Sequence, residues 1–151
     1  MQPTFKLLNH DWNADPVSPD PAVRVAGSDL LLTFAVNTTQ FAGFVRGDIG
    51  ALRFVNCKRF RLGPPNEAGW LKGQCRFSGK APAWGEFYLV NGEKELLEAP
   101  HDWRFLGTGR GDGLHFLFYF KHETFECVAD SCAVEPTADN ALGRTGKKVE
   151  L

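Results

Sequence analysis

Hydrophobic and polar residues alternate along this chain in short runs and nowhere recur at every third or fourth position over a long stretch. Residues 29–37 (DLLLTFAVN) set Leu30, Leu32, Phe34 and Val36 on one side and Asp29, Thr33 and Asn37 on the other, the period of a half-buried strand. Residues 4–9 predict a first strand, and the three prolines of 11–21 predict a loop. Residues 38–50 read as a Gly-punctuated connection whose Phe41 and Phe44 cover an edge or end of the core. In 51–62, Leu52 and Phe54 begin an apolar face that Phe60 and Leu62 resume. Asn56 and Lys58 interrupt it, so a bulge near Cys57 is expected. Arg53, Arg59 and Arg61 lie opposite and read as a basic stripe on a solvated sheet face.

Residues 63–69 (GPPNEAG) predict a turn. Two further strands are predicted at 71–78, with Leu71, Cys75 and Phe77 opposite Lys72, Gln74 and Arg76, and at 84–90, with Phe87 and Leu89 opposite Trp84, Glu86 and Tyr88. The second carries aromatics on both faces, so each face should meet something besides water. A helical turn or edge strand is expected at 93–98 and a brief strand at 103–106. The most legible segment pairs 114–120 with 124–129 as a hairpin in which Phe120 faces Phe125, Phe118 faces Cys127 and Phe116 faces Ala129. That register makes Phe118, Phe120 and Phe125 core residues and sets His115, Tyr119, Glu126 and Asp130 on the other side, with His115 directly across from Asp130.

Short strands between Gly, Pro and Asn turns predict an all-β fold: an antiparallel β-sandwich or partly closed barrel built from hairpins, with little helix. The expected organisation is one β domain over 1–135 and a loosely packed polar C-terminal tail over 136–151. With 151 residues the chain is long enough to bury an ordinary core. A net charge of −1 offers no broad basic field, so neither nucleic acid nor an anionic membrane surface is expected as a partner. No signal pattern occurs in 1–15 and no apolar run reaches membrane-spanning length, which leads to the expectation of a cytoplasmic protein. In that compartment Cys57, Cys75, Cys127 and Cys132 would be free thiols.

Candidate chemistry is sparse. Residues 107–113 (GTGRGDG) imitate a phosphate-binding loop, but a strand pattern and not a helix follows them, so a hairpin connection is the favoured reading. The four histidines are scattered without metal-ligand spacing, and neither a metal nor another cofactor is expected. His115 held by Asp130 beside Tyr119 and Glu126 has the composition of a general base, against the plainer reading of a cross-strand polar pair. Cys127 points into the phenylalanine cluster, where a thiol is protonated and inert; Cys132 is expected to be better exposed, with no activating partner.

Three stretches, LLNHDWNADP, FRLGPPNEAGWLKGQCRFSGKAPAWGEFYLV and HFLFYFKHETFECVA, together resemble an uncharacterised family of small bacterial proteins over about residues 5–135. The resemblance implies an all-β fold and brings no activity, cofactor or catalytic set. The last stretch is also similar to small proteins that neutralise bacterial toxins. Two functions are therefore weighed. The leading one is a non-enzymatic binding domain for a protein partner, an immunity-type inhibitor being one version, which meets its partner through Trp84, Glu86 and Tyr88. The alternative is a small-molecule-binding protein or enzyme with an aromatic-lined pocket, whose polarity comes from His115, Tyr119, Glu126 or Asp130. A ligand-sized cavity favours the second and a flat exposed aromatic patch the first.

Overall fold

The computed structural model describes residues 2–81 and 83–151; Met1 and Pro82, the latter inside the second stretch quoted above, lie outside it. All strands pair antiparallel, in two sheets. A six-stranded sheet runs in the order β1 (Thr4–Leu7), β6 (Phe87–Asn91), β8 (Leu114–Tyr119), β9 (Thr124–Ala129), β5 (Arg59–Gly63), β7 (Arg104–Phe105). A four-stranded sheet runs β10 (Ser131–Val134), β4 (Ile49–Val55), β3 (Asp29–Ala35), β2 (Ala22–Ala26). Neither closes on itself, so of the two architectures expected the chain adopts the sandwich. Helix is confined to α1 (Glu67–Leu71), α2 (Lys94–Leu97) and α3 (Ala141–Arg144). No helix among the described residues is long and apolar enough to cross a membrane.

The core between the sheets is aromatic. Leu30, Leu32 and Phe34 of β3 and Leu52 and Phe54 of β4 face Phe87, Phe116, Phe118 and Phe125. Phe118 stacks on Phe120 at 4.4 Å, and Phe54 meets Phe116 edge to face at 5.2 Å. Phe118, Phe120 and Phe125 are buried, as the alternation requires. The 11–21 loop contributes Trp12, fully buried, stacked on Phe34 and donating Nε1–H to Lys148 O at 2.9 Å.

Four expectations are corrected. The 51–62 segment is two strands in different sheets, because the chain turns from β4 to β5 at Asn56 (φ 50°) where a bulge was expected. Its arginines therefore form no stripe: Arg53 pairs with Asp29 and Glu135 on the small sheet, and Arg61 is buried on the large one. Residues 71–78 are not a strand. Asn66 caps α1 by accepting from Gly69 N–H at 2.9 Å, and Gly73 and Gly79 (φ 75° and 74°) continue the segment as turns, leaving Leu71 exposed and Phe77 buried. The 107–113 stretch is no hairpin connection, since it links β7 to β8, which are not neighbours. The β8–β9 register is shifted by two residues from the expected one, pairing Phe118 with Phe125, Phe116 with Cys127 and His115 with Val128. A shift of two keeps every side chain on its expected face but changes what stands beside it.

The 136–151 stretch also departs from a loose tail. Ala141 and Leu142 of α3 lie in the core, and Asn140 bonds both backbone groups of Ala51 and the carbonyl of Glu135. Gly50 makes room for it: a Cβ there would stand 3.0 Å from Phe34 and 3.1 Å from Leu142.

Candidate functional site

The face of the six-stranded sheet turned away from the sandwich is also covered. It carries Phe5 and Leu7 on β1, Tyr88 and Val90 on β6, His115, Leu117 and Tyr119 on β8, Thr124, Glu126 and Val128 on β9, and Arg59 and Arg61 on β5, as the strand registers fix. Residues 64–81 and 83–86 fold over this face as an irregular lid, packing Trp70, Phe77 and Trp84 onto Tyr88, Leu117 and Tyr119 in a second apolar cluster. Trp84 stacks on Tyr119 at 4.3 Å, and Trp70 meets both rings at about 6 Å. The lid is pinned to the sheet by Lys121 to Glu67 (2.9 Å) and by Thr124 Oγ1 donating to Pro65 O (2.8 Å). The aromatics on both faces of the 84–90 segment thus have their physical reason: its β6 part lies between two apolar layers.

At the centre of this face is Glu126, 2% exposed and the only charged residue of β9. Its Oε1 accepts from Arg61 Nη1 at 3.2 Å, and its Oε2 lies 2.7 Å from His115 Nε2 and accepts from Arg76 Nη2. Arg61 completes the network by donating from Nε (2.6 Å) and Nη2 (3.1 Å) to the two oxygens of Asp102 and from Nη2 to Pro64 O. Burial alone would raise the Glu126 pKa, but the His115 hydrogen bond and the charges of His115, Arg76 and Arg61 outweigh it and hold the carboxyl below its ordinary range. The Arg61 guanidinium lowers Asp102 in the same way. Burial pushes the Tyr119 phenol up and that of Tyr88 up to about 12.

Between this network and the lid lies a pocket of about 370 Å³, open at one side, with Glu126 and Arg61 at its base and Arg76, Tyr119, Leu117 and Phe77 on its walls. Residues 99–100 form part of its rim. This volume falls at the small end of ligand sites, and the lining is mostly apolar with a few charged groups, the usual composition of such sites. The geometry does not suit acid–base catalysis. Glu126, a depressed carboxylate saturated by three donors, is a poor base, and His115 stands behind it, outside the pocket lining.

Of the residues singled out from the sequence, the fold brings His115, Tyr119 and Glu126 together and adds Trp84 and Tyr88 to the same layer. Asp130 stands apart. It faces solvent at the corner where β9 passes into β10, bonding Asn56 Nδ2 (2.8 Å) and Lys58 (3.4 Å), so it holds the two sheet-switching corners together and does not meet His115. Glu86 also turns away, accepting from Asn9 Nδ2 at 2.7 Å, and burial raises its pKa. Tyr88 is 2% exposed and spends its hydroxyl on the backbone of Ala83, so Trp84, Glu86 and Tyr88 do not make an exposed face. Arg76 and Asp102 were not singled out from the sequence, and Arg61 was read as part of a solvated basic stripe. The available signal was Glu126 itself, since a carboxylate in a strand buried on both faces requires cations beside it. No protein-family model, no curated protein and no solved structure matches this chain.

Proposed function

We propose that the protein is a non-enzymatic binding domain for a small organic molecule, held between the lid and the outer face of the six-stranded sheet. The observation that carries this reading is the coincidence of a 370 Å³ pocket with the buried Glu126 network, beside the apolar cluster that the lid packs on the same face. A carboxylate fixed by three cationic or polar donors makes a rigid polar floor, and the surrounding rings supply apolar contact area. Such a site orients a ligand without doing chemistry on it. The competing role, docking a protein through Trp84, Glu86 and Tyr88, loses its support because the two rings pack inside the lid. The immunity-type version of that role rests on resemblance alone.

The test is a screen of small organic fragments by ligand-observed NMR against the wild type and against Ala99→Trp, which fills the pocket mouth from an exposed rim position. Fragments are expected to bind the wild type and to lose binding in the filled variant. A screen without hits, or hits indifferent to the substitution, would overturn the reading.

A further inference from the structure

Four buried side-chain nitrogens lack a hydrogen-bond partner among the described residues: Trp70 Nε1, Arg76 Nε, Trp84 Nε1 and Trp103 Nε1. Every one is a donor, and no buried side-chain oxygen among those residues is left in the same state. All four belong to the outer layer of the six-stranded sheet. Trp70 and Trp84 pack on Tyr119, Trp103 lies edge-on to His115 at 6.0 Å, and Arg76 bonds Glu126. Trp70 Nε1 has the Tyr119 hydroxyl beside it as an acceptor, whereas Arg76 Nε is the unpartnered donor that belongs to a residue lining the pocket.

The network's two carboxylates are already engaged. Glu126 serves Arg61, Arg76 and His115, and Asp102 takes both Nε and Nη2 of Arg61. Arg61 is engaged through all three of its nitrogens. Arg76 is not: among the described residues only its Nη2 is hydrogen-bonded, its guanidinium lies against the Phe77 ring with Cζ 4.4 Å from the ring centre, and the residue lines the pocket. It is the one cation of the pocket with hydrogen-bonding capacity to spare.

Building on the reading of this pocket as a ligand site, we propose that its ligand is a small monocarboxylate with an apolar body, the carboxylate seated on the guanidinium of Arg76. A carboxylate supplies acceptor oxygens to the free N–H groups of Arg76 and matches the planar donor array of arginine. A dianionic head such as phosphate is disfavoured because Glu126 already holds the same guanidinium and would repel a second, higher charge at short range. The apolar body follows from Phe77, Leu117, Tyr119, Pro64, Pro65 and Pro100 around it, and the small size from the volume.

The experiment titrates wild-type protein at pH 7 with matched probes that differ only in the head group: phenylacetate against phenylacetamide, and hexanoate against hexanamide. Each acid is expected to bind about tenfold or more tightly than its amide, and to lose that advantage in Arg76→Gln while keeping it in Lys72→Gln, which removes an exposed charge nearby. Acids and amides binding equally to the wild type, with both excluded by Ala99→Trp, would overturn the carboxylate assignment and leave the pocket reading standing. An acid that binds Ala99→Trp as well as the wild type lies elsewhere and overturns the assignment. If none of the four probes binds the wild type, the assignment and the pocket reading fall together. The comparison of acid with amide on the wild type stands even if Arg76→Gln proves too unstable to study.

Discussion

Glu126 is the residue on which the outer face depends most, because three side chains from three elements converge on its two oxygens. Glu126→Gln keeps the shape and removes the charge, leaving Arg76 without its anion in a largely buried site. We expect a loss of about 3 to 5 kcal/mol by denaturant unfolding at pH 7, the usual cost of breaking a buried pair from one side. The same group shapes the acid limb of stability. Its folded-state pKa is depressed, so its contribution is present above the unfolded value of about 4.3 and disappears as pH falls through the lower folded one. Unfolding midpoints measured down to pH 3 should therefore fall steeply for the wild type and less steeply for Glu126→Gln. Glu86 has the opposite sign: burial raises its pKa, so stability is lost as pH rises from the unfolded value through the folded one. Glu86→Gln keeps an acceptor for Asn9 and should be slightly more stable than the wild type at pH 7, and equal to it at pH 3. Phe120→Ala should cost about 3 to 5 kcal/mol. Tyr119→Ala, which a solvent-facing position would have made mild, should be comparably severe, since its ring is 2% exposed and stacked on Trp84.

Among the elements, β8 and β9 were the most legible and still misregistered by two residues. Hydrophobic alternation distinguishes odd slips from even ones, because only an odd slip turns a strand over. The choice between even registers falls to neighbours distant in sequence. Here they are Arg61 on β5, directly across from Glu126, and Val90 on β6, across from His115. The sheet switch at Asn56 was invisible for a related reason: both β4 and β5 keep their alternation, and nothing local says that they belong to different layers. In α3 a four-residue helix too short to stand alone is held by Asn140 and by Leu142 packed over Gly50. Leu142→Ala should cost about 2 to 5 kcal/mol in thermal or denaturant unfolding, whereas a loss within about 0.5 kcal/mol would mean that the terminal segment does not belong to the core.

At the scale of the whole molecule, two apolar layers share one sheet, and thiol chemistry reports on both. Cys127 and Cys132 lie in the inner layer, where burial pushes their pKa values up, and Cys57 is buried with them. The expectation that Cys132 is the better exposed thiol is thus corrected, because its side chain points between the sheets. Cys75 lies half-buried beside the pocket. All four are free, so a thiol reagent should titrate one group quickly in the native protein and three more only on unfolding. Occupation of the pocket by a ligand should slow the fast group.

The sequence by itself determined the all-β antiparallel class, the strand faces over 29–37 and 114–129, and the core positions of Phe118, Phe120 and Phe125, because each follows from a two-residue period that local chemistry writes into the chain; of the strand expected over 84–90 only the part from Phe87 lies in β6, and Trp84 and Glu86 belong to the segment before it. It also placed Tyr119, Glu126 and His115 on one face. Only the tertiary structure decided what that face meets. Whether an outward residue is solvated depends on whether another segment covers it, and the described residues of the lid form the short helix α1 and a series of turns whose sequence carries no address. Burial under that lid turns Arg61 and Arg76 from surface charges into the partners of Glu126, because a carboxylate removed from water must find its counterions within hydrogen-bond reach, wherever in the chain they lie.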